Sequence, residues 1–386
     1  MRVTVILLSL ALLWGAWTPA REHLSSAKSD TREAAMAQRF APIFYQALGD
    51  KPRSDYITNF DFDGDWRGDN NWEHTDEFPL KAYIYYSVAE TSSHFFIHYA
   101  VFHPRDYKGG EVKGAILSEL IREAAKKGRK YDPTGLSGEA ALAHENDMEG
   151  CLVVVTKVSD GPGRVTYVET LHHNNFSHYV VGESAAGFAA VRVEDQHPLL
   201  YIEPKGHGIE AFAGDPKQTG RKEFLRYVFG GKAEDPSDNE QLICRDLPSA
   251  ACHQSVGYEL LPISTTLWPR SMQQPNETYG EFYDYGEIKL AVSLSGGKPA
   301  EKSVKVGKIG CAFLGMVGGH NMARPPWGWF DTNERDVLLG LWFFDPASVI
   351  KRHYGLSDSF STTYVSLPFW ANREPKAVAW VGTVHF

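Results

Sequence analysis

The sequence predicts a mainly β protein, a β-sandwich with helical insertions (α+β overall). Aromatic residues make up 13% of its 386 residues, and 35 Gly with 21 Pro supply frequent turns. Aromatics suit pleated, half-buried strands, and Gly and Pro punctuate short ones. Apolar residues at 43% and charged residues at 23% match the globular average, which excludes disorder, collagen and coiled coil as main descriptions.

The chain opens with Met1-Arg2, an apolar run over residues 3–17 and then Thr18-Pro19-Ala20. That run is too short to span a bilayer and predicts an export signal cleaved after Ala20, so a secreted or periplasmic protein with no transmembrane segment. From residue 21 the reading is one large sandwich-like domain, with a helical insertion near 107–143 and an additional C-terminal segment, 215–386.

Ser29-Asp30 caps a helix over 31–40, with Ala35, Met36 and Phe40 on one face. An acidic and aromatic stretch over 56–69 precedes two strands, 81–89 and 94–102. Helical spacing of Val112, Ile116, Leu117, Leu120 and Ile121 predicts a helix over 111–127, closed by Gly128. Strands 147–158 and 165–173 form a hairpin, and 198–203 and 208–212 continue the pattern. Residues 222–229 read as a short helix stopped by Gly230-Gly231, and 232–257 as a polar surface loop. The last third alternates strands such as 287–294 with turns, and holds a helix capped by Asp345, started at Pro346 and stopped by Gly355.

Lys+Arg is 39 against Asp+Glu 48, a formal charge of −9 that argues against nucleic acid as a partner. In an oxidising compartment the 4 Cys imply two bridges. Proximity favours Cys244–Cys252, leaving Cys151–Cys311.

The densest polar cluster is His144-Glu145-Asn146-Asp147-Met148-Glu149, leading into an apolar strand. Strand alternation puts Asp147 and Glu149 on one face, and antiparallel pairing brings His173 roughly opposite Glu149. Converging carboxylates repel unless a cation or proton sits between them. Carboxylates with one imidazole suit Mg²⁺, Ca²⁺ or Mn²⁺, and the His-Glu-x-x-His pattern of zinc peptidases is absent. Asp61, Asp63, Asp65 and Asp69 resemble a calcium loop, but Trp66 stands where the EF-hand needs Gly. His94 and His98 read as buried, hydrogen-bonded histidines, and Arg324–Phe330 as aromatics packing over the sandwich end.

The order Tyr99-Ala-Val-Phe-His-Pro-Arg-Asp106, His144-x-x-Asp147-x-Glu149, Leu171-His-His173 and Gly206-His-Gly208 resembles the necrosis- and ethylene-inducing-peptide-like proteins over about residues 80–212. The resemblance implies a secreted sandwich holding a divalent cation by Asp106, His144, Asp147 and Glu149. It also implies a glycan or glycolipid head group as partner, peripheral membrane contact and damage to the target membrane. Two positions depart from the family heptapeptide: Asn146 replaces its second His and Met148 its Trp. The alternative is a metal-dependent hydrolase of glycans or phosphoesters, with His173 or His207 as general base.

Overall fold

The structure, a computed structural model, describes residues 31–107, 144–159, 161–184, 187–214, 223–245, 254–274, 276–293, 298–316, 323–334 and 336–366. The export signal, the 111–127 helix and the caps at Ser29-Asp30 lie outside the described residues. Among the described residues, seventeen strands and a few short helices make the protein mainly β. In chain order the strands are β1 (Ile43–Ala47), β2 (Tyr83–Thr91), β3 (His94–Asp106), β4 (His144–Val158), β5 (Gly161–His172), β6 (Asn175–Val181), β7 (Ala189–Val191), β8 (Val193–Glu194), β9 (His197–Ile202) and β10 (Ile209–Ala211). There follow β11 (Phe224–Phe229), β12 (Val256–Pro262), β13 (Tyr279–Asp284), β14 (Glu287–Ser293), β15 (Pro299–Lys305), β16 (Lys308–Phe313) and β17 (Tyr364–Ser366). The helices are α1 (Thr31–Arg39), α2 (Asn71–Glu77), α3 (Leu267–Ser271), α4 (Leu341–Phe344) and α5 (Pro346–His353).

One sheet runs β10-β9-β1-β11-β12-β2-β3-β4-β5-β6-β7 and curls until β10 packs against β4 and β5. Period-two alternation divides its residues between two cores. Tyr99, Val101, Val153 and Val155 face inward with Phe44, Leu200, Tyr227 and Tyr258. Phe96, Ala100, Phe102, Leu152 and Val154 face outward, where Trp268, Tyr279, Trp327, Trp342 and Ile350 from the C-terminal third cover them. With both faces covered, every residue of β3 is buried.

α5 begins as its sequence dictates: the Asp345 carboxylate accepts the Ser348 N–H at 3.3 Å, and Gly355 takes φ +59° just beyond the last turn. Two expectations fail. The helix expected over 222–229 is replaced, over its described residues, by strand β11 (Phe224–Phe229), seated between β1 and β12. Cys151–Cys311 is not a bridge, because both are free and buried. Cys151 belongs to the inner core and Cys311 to the outer one, so the sheet separates them. Burial pushes the Cys311 thiol up to about 11, the inert character of a core cysteine. Cys244 is not a free thiol, and Cys252 lies outside the described residues. Alkylation of unfolded, unreduced protein is expected to label Cys151 and Cys311, and a protected Cys151 in the peptide map would reverse this assignment.

Candidate metal centre

Asp106 ends β3, and His144 opens β4 directly opposite it in the ladder. One ligand atom each from Asp106, His144 and Asp147 lies within 4.8 Å of the others, and all three residues are buried. His144 Nδ1 faces the Asn146 carbonyl at 2.9 Å. Donation there leaves the Nε2 lone pair turned toward Asp106 Oδ2, 3.6 Å away. Metal-bound imidazoles are fixed in this manner, through their second nitrogen.

Glu149 stands outside that closest group but beside Asp147. Burial, then the Asp147 charge, hold its carboxyl well above the usual range. It accepts the His173 backbone N–H, while its Oε2 is buried with no hydrogen-bond partner among the described residues. An orphaned carboxylate oxygen beside a second buried carboxylate is the arrangement that a divalent cation satisfies.

The structure also explains both departures from the family heptapeptide. Asn146 takes φ +56°, accepts from the Asn71 amide at 2.6 Å and donates to the Gly68 and Leu314 carbonyls at 2.7 and 2.8 Å. It fastens three segments behind the cluster. Met148 packs in the outer core, and its carbonyl accepts the Trp329 indole N–H at 3.0 Å.

His207, fully buried, reaches Asp147 Oδ2 through Nδ1 at 2.8 Å and Asp55 Oδ1 through Nε2 at 3.3 Å. Burial opposes its charge, but the hydrogen bonds to Asp147 and Asp55 prevail and raise its pKa to about 10. His103 stacks on the His207 ring at 3.7 Å; burial, then the His207 charge, keep His103 neutral, and it donates to Gln46 Oε1 at 2.9 Å. The glycines flanking His207 are required by close approach: a Cβ on Gly208 would sit 2.0 Å from His172 Cδ2, and one on Gly206 2.4 Å from His173 Cε1. Asp55, distant in sequence, is a participant that the motifs do not reveal.

The His173 side chain is not directed at the cation cluster. It takes φ +49° and turns to Glu203 Oε1 at 2.5 Å, so only its backbone serves Glu149. Cys151 pairs with Thr170 in the β4–β5 ladder, so in that register His172 rather than His173 faces Glu149. His172 bonds Glu203 and Glu210 at 3.4 and 3.1 Å, and these hydrogen bonds raise its pKa to about 10. Its folded value exceeds the ordinary ~6.5, so this stabilisation is complete below about pH 6.5 and fades as pH rises toward 10. The stability gap between wild type and a His172→Gln variant is expected to shrink over that interval in urea titrations. A gap constant from pH 6 to 10 would refute it.

Elsewhere, the loop at 61–70 pairs its carboxylates locally, and Asp63 Oδ2 also meets His74 Nδ1 of α2 at 2.5 Å. Asp61 accepts from Trp66 N, Asp63 from Asp65 N and Asp65 from Arg67 N at 3.0, 3.3 and 2.9 Å. Trp66 itself holds φ +56°, the conformation an EF-hand gives to Gly, braced by Arg270 4.0 Å above its ring. His98 is fully buried on the Trp342 carbonyl, and Trp327 and Trp329 are core residues.

The structure is distantly similar to solved necrosis- and ethylene-inducing-peptide-like proteins. Necrosis and Ethylene inducing Protein 2 from the causal agent of cocoa's Witches Broom disease matches with 15% identity over 46% of this chain and 67% of its own, TM-score 0.26. NLPPya in complex with mannosamine matches with 14% identity over 47% and 67%, TM-score 0.26. The non-toxic HaNLP3 protein matches with 10% identity over 47% and 51%, TM-score 0.22. No protein-family profile and no curated protein matches the chain.

Proposed function

We propose that the chain is an exported protein that binds one divalent cation, Mg²⁺, Ca²⁺ or Mn²⁺, through Asp106, His144, Asp147 and Glu149. The ion organises a recognition surface for a glycan or glycolipid head group. The observation that carries the ion is the buried cluster itself, with His144 Nε2 turned into it and Glu149 Oε2 unsatisfied. The surface beside it is polar: the His172, His173, Glu203 and Glu210 side chains are 27–45% exposed. Carboxylates and imidazoles of this kind bond sugar hydroxyls and amino groups.

Binding is favoured over hydrolysis by the state of the two expected bases. His207 is locked between Asp147 and Asp55, and His173 Nε2 is held by Glu203. Its two carboxylates hold His207 protonated, without a lone pair for a water at the ion, and the His173 ring is turned away to Glu203. Among the described residues no helix is long and apolar enough to cross a membrane, so any membrane action would begin from surface contact.

The test is a glycan screen, starting with mannosamine (the sugar held by one of the similar structures) and glycosylated lipid vesicles, run with and without chelator. Head-group binding and vesicle leakage that vanish with chelator are expected. Binding indifferent to chelation would separate the ion from recognition.

A further inference from the structure

A second constellation lies on the opposite face of the same sheet. Glu169 on β5 and His178 on β6 are direct cross-strand partners, and His353 arrives from the last turn of α5. His178 Nδ1 and His353 Nδ1 lie 2.9 and 2.7 Å from one oxygen, Glu169 Oε1. One ligand atom from each residue lies within 4.8 Å of the others. Glu169 is fully buried and the His353 side chain nearly so, while His178 is 28% exposed and opens a path from solvent.

The surroundings are built for more than a salt cluster. Trp342 Nε1–H donates to Glu169 Oε2 at 2.6 Å, which leaves Oε1 to face the two imidazoles. His353 Nε2 meets Glu334 Oε1 at 3.0 Å, and Arg352 holds Glu334 Oε2 at 2.7 Å while also approaching His353 Nε2 at 3.2 Å. Donation from Nε2–H to Glu334 fixes the tautomer that presents the Nδ1 lone pair to an ion, and the Trp342 bond orients the carboxylate. Without an ion, Glu169 Oε1 accepts an N–H from each imidazole.

We propose that Glu169, His178 and His353 form a site for a borderline divalent metal, Zn²⁺ in the first instance, with water as the fourth ligand. Two imidazoles with one carboxylate select Zn²⁺ over Mg²⁺ or Ca²⁺, the reverse of the carboxylate-rich cluster on β4. His353 comes from the C-terminal third, so this site needs a part of the chain that the family resemblance does not reach.

The test uses the full chain loaded with Zn²⁺ or Co²⁺, desalted, and read by elemental analysis and the visible bands of four-coordinate Co²⁺. Wild type is expected to retain a Zn²⁺ equivalent that His178→Ala lacks, with the folded circular dichroism spectrum intact. Glu334→Gln should keep the metal but bind it about 10–100-fold more weakly, the usual cost of losing an outer partner. If His178→Ala does not fold, Glu334→Gln decides alone. Equal Zn²⁺ content in wild type and His178→Ala, unchanged affinity in Glu334→Gln, or absence of the Co²⁺ bands in wild type each overturns the assignment.

Discussion

Replacing Asp147 with alanine is expected to abolish binding of the divalent cation proposed for the β4 cluster. Asp147 supplies the carboxylate that stands among Asp106, His144 and Glu149, and hard ions take most of their affinity from such charged oxygens. The substitution also strips His207 of its closer carboxylate, leaving a buried imidazolium facing Asp55 alone. Breaking a buried pair in this way costs about 3–5 kcal/mol, so lost binding must be separated from lost folding. Glu149→Gln provides that separation. It removes a ligand charge but relieves the repulsion of two neighbouring buried carboxylates, one oxygen of which is orphaned. Ion affinity should fall while the chelated protein melts no lower than wild type. Equal metal content in wild type and Asp147→Ala, measured by elemental analysis, would remove the site.

The legible parts of this molecule are those governed by local periodicity. β3 and β4 show the alternation that sends Val101 and Val153 inward and Phe102 and Leu152 outward, and α5 carries its Asp, Pro and Gly signals in order. The same period placed Asp147 and Glu149 on one face. Phe224–Phe229 misled because both its faces meet apolar clusters, Leu225 and Tyr227 on one and Phe224 and Val228 on the other, so no strand period shows. The Cys151–Cys311 pairing failed because an even count says nothing about which face of a sheet each thiol occupies. Hidden most completely were contacts of long sequence separation. Asp55 on His207 and His353 on Glu169 become neighbours only when the sheet curls and the C-terminal third covers it.

That covering layer makes Trp329→Ala the most destabilising single change expected outside the ligands. The indole is 2% exposed, stands 5.4 Å from the Trp342 ring and donates to the Met148 and Arg324 carbonyls at 3.0 and 2.9 Å. It also lies so close to β4 that a Cβ on Gly150 would come within 2.3 Å of its Cη2, so the strand is shaped to receive it. Truncation of a buried Trp to Ala costs about 3–5 kcal/mol, and a carbonyl left unpaired adds about 1–3 kcal/mol. The effect should not stop at stability. Met148 lies between Asp147 and Glu149, and strand alternation puts those two carboxylates, the proposed ion ligands, on one face of this segment and Met148, packed with Trp329, on the other. Loosening the packed face therefore loosens the ligands. Trp329→Phe, which keeps most of the packing and loses the N–H, should recover the larger share of both stability and ion affinity. An unchanged denaturant midpoint in Trp329→Ala would show that the C-terminal layer does not brace β4. A large loss of stability with wild-type ion affinity in the folded fraction would show that it braces the fold but not the site.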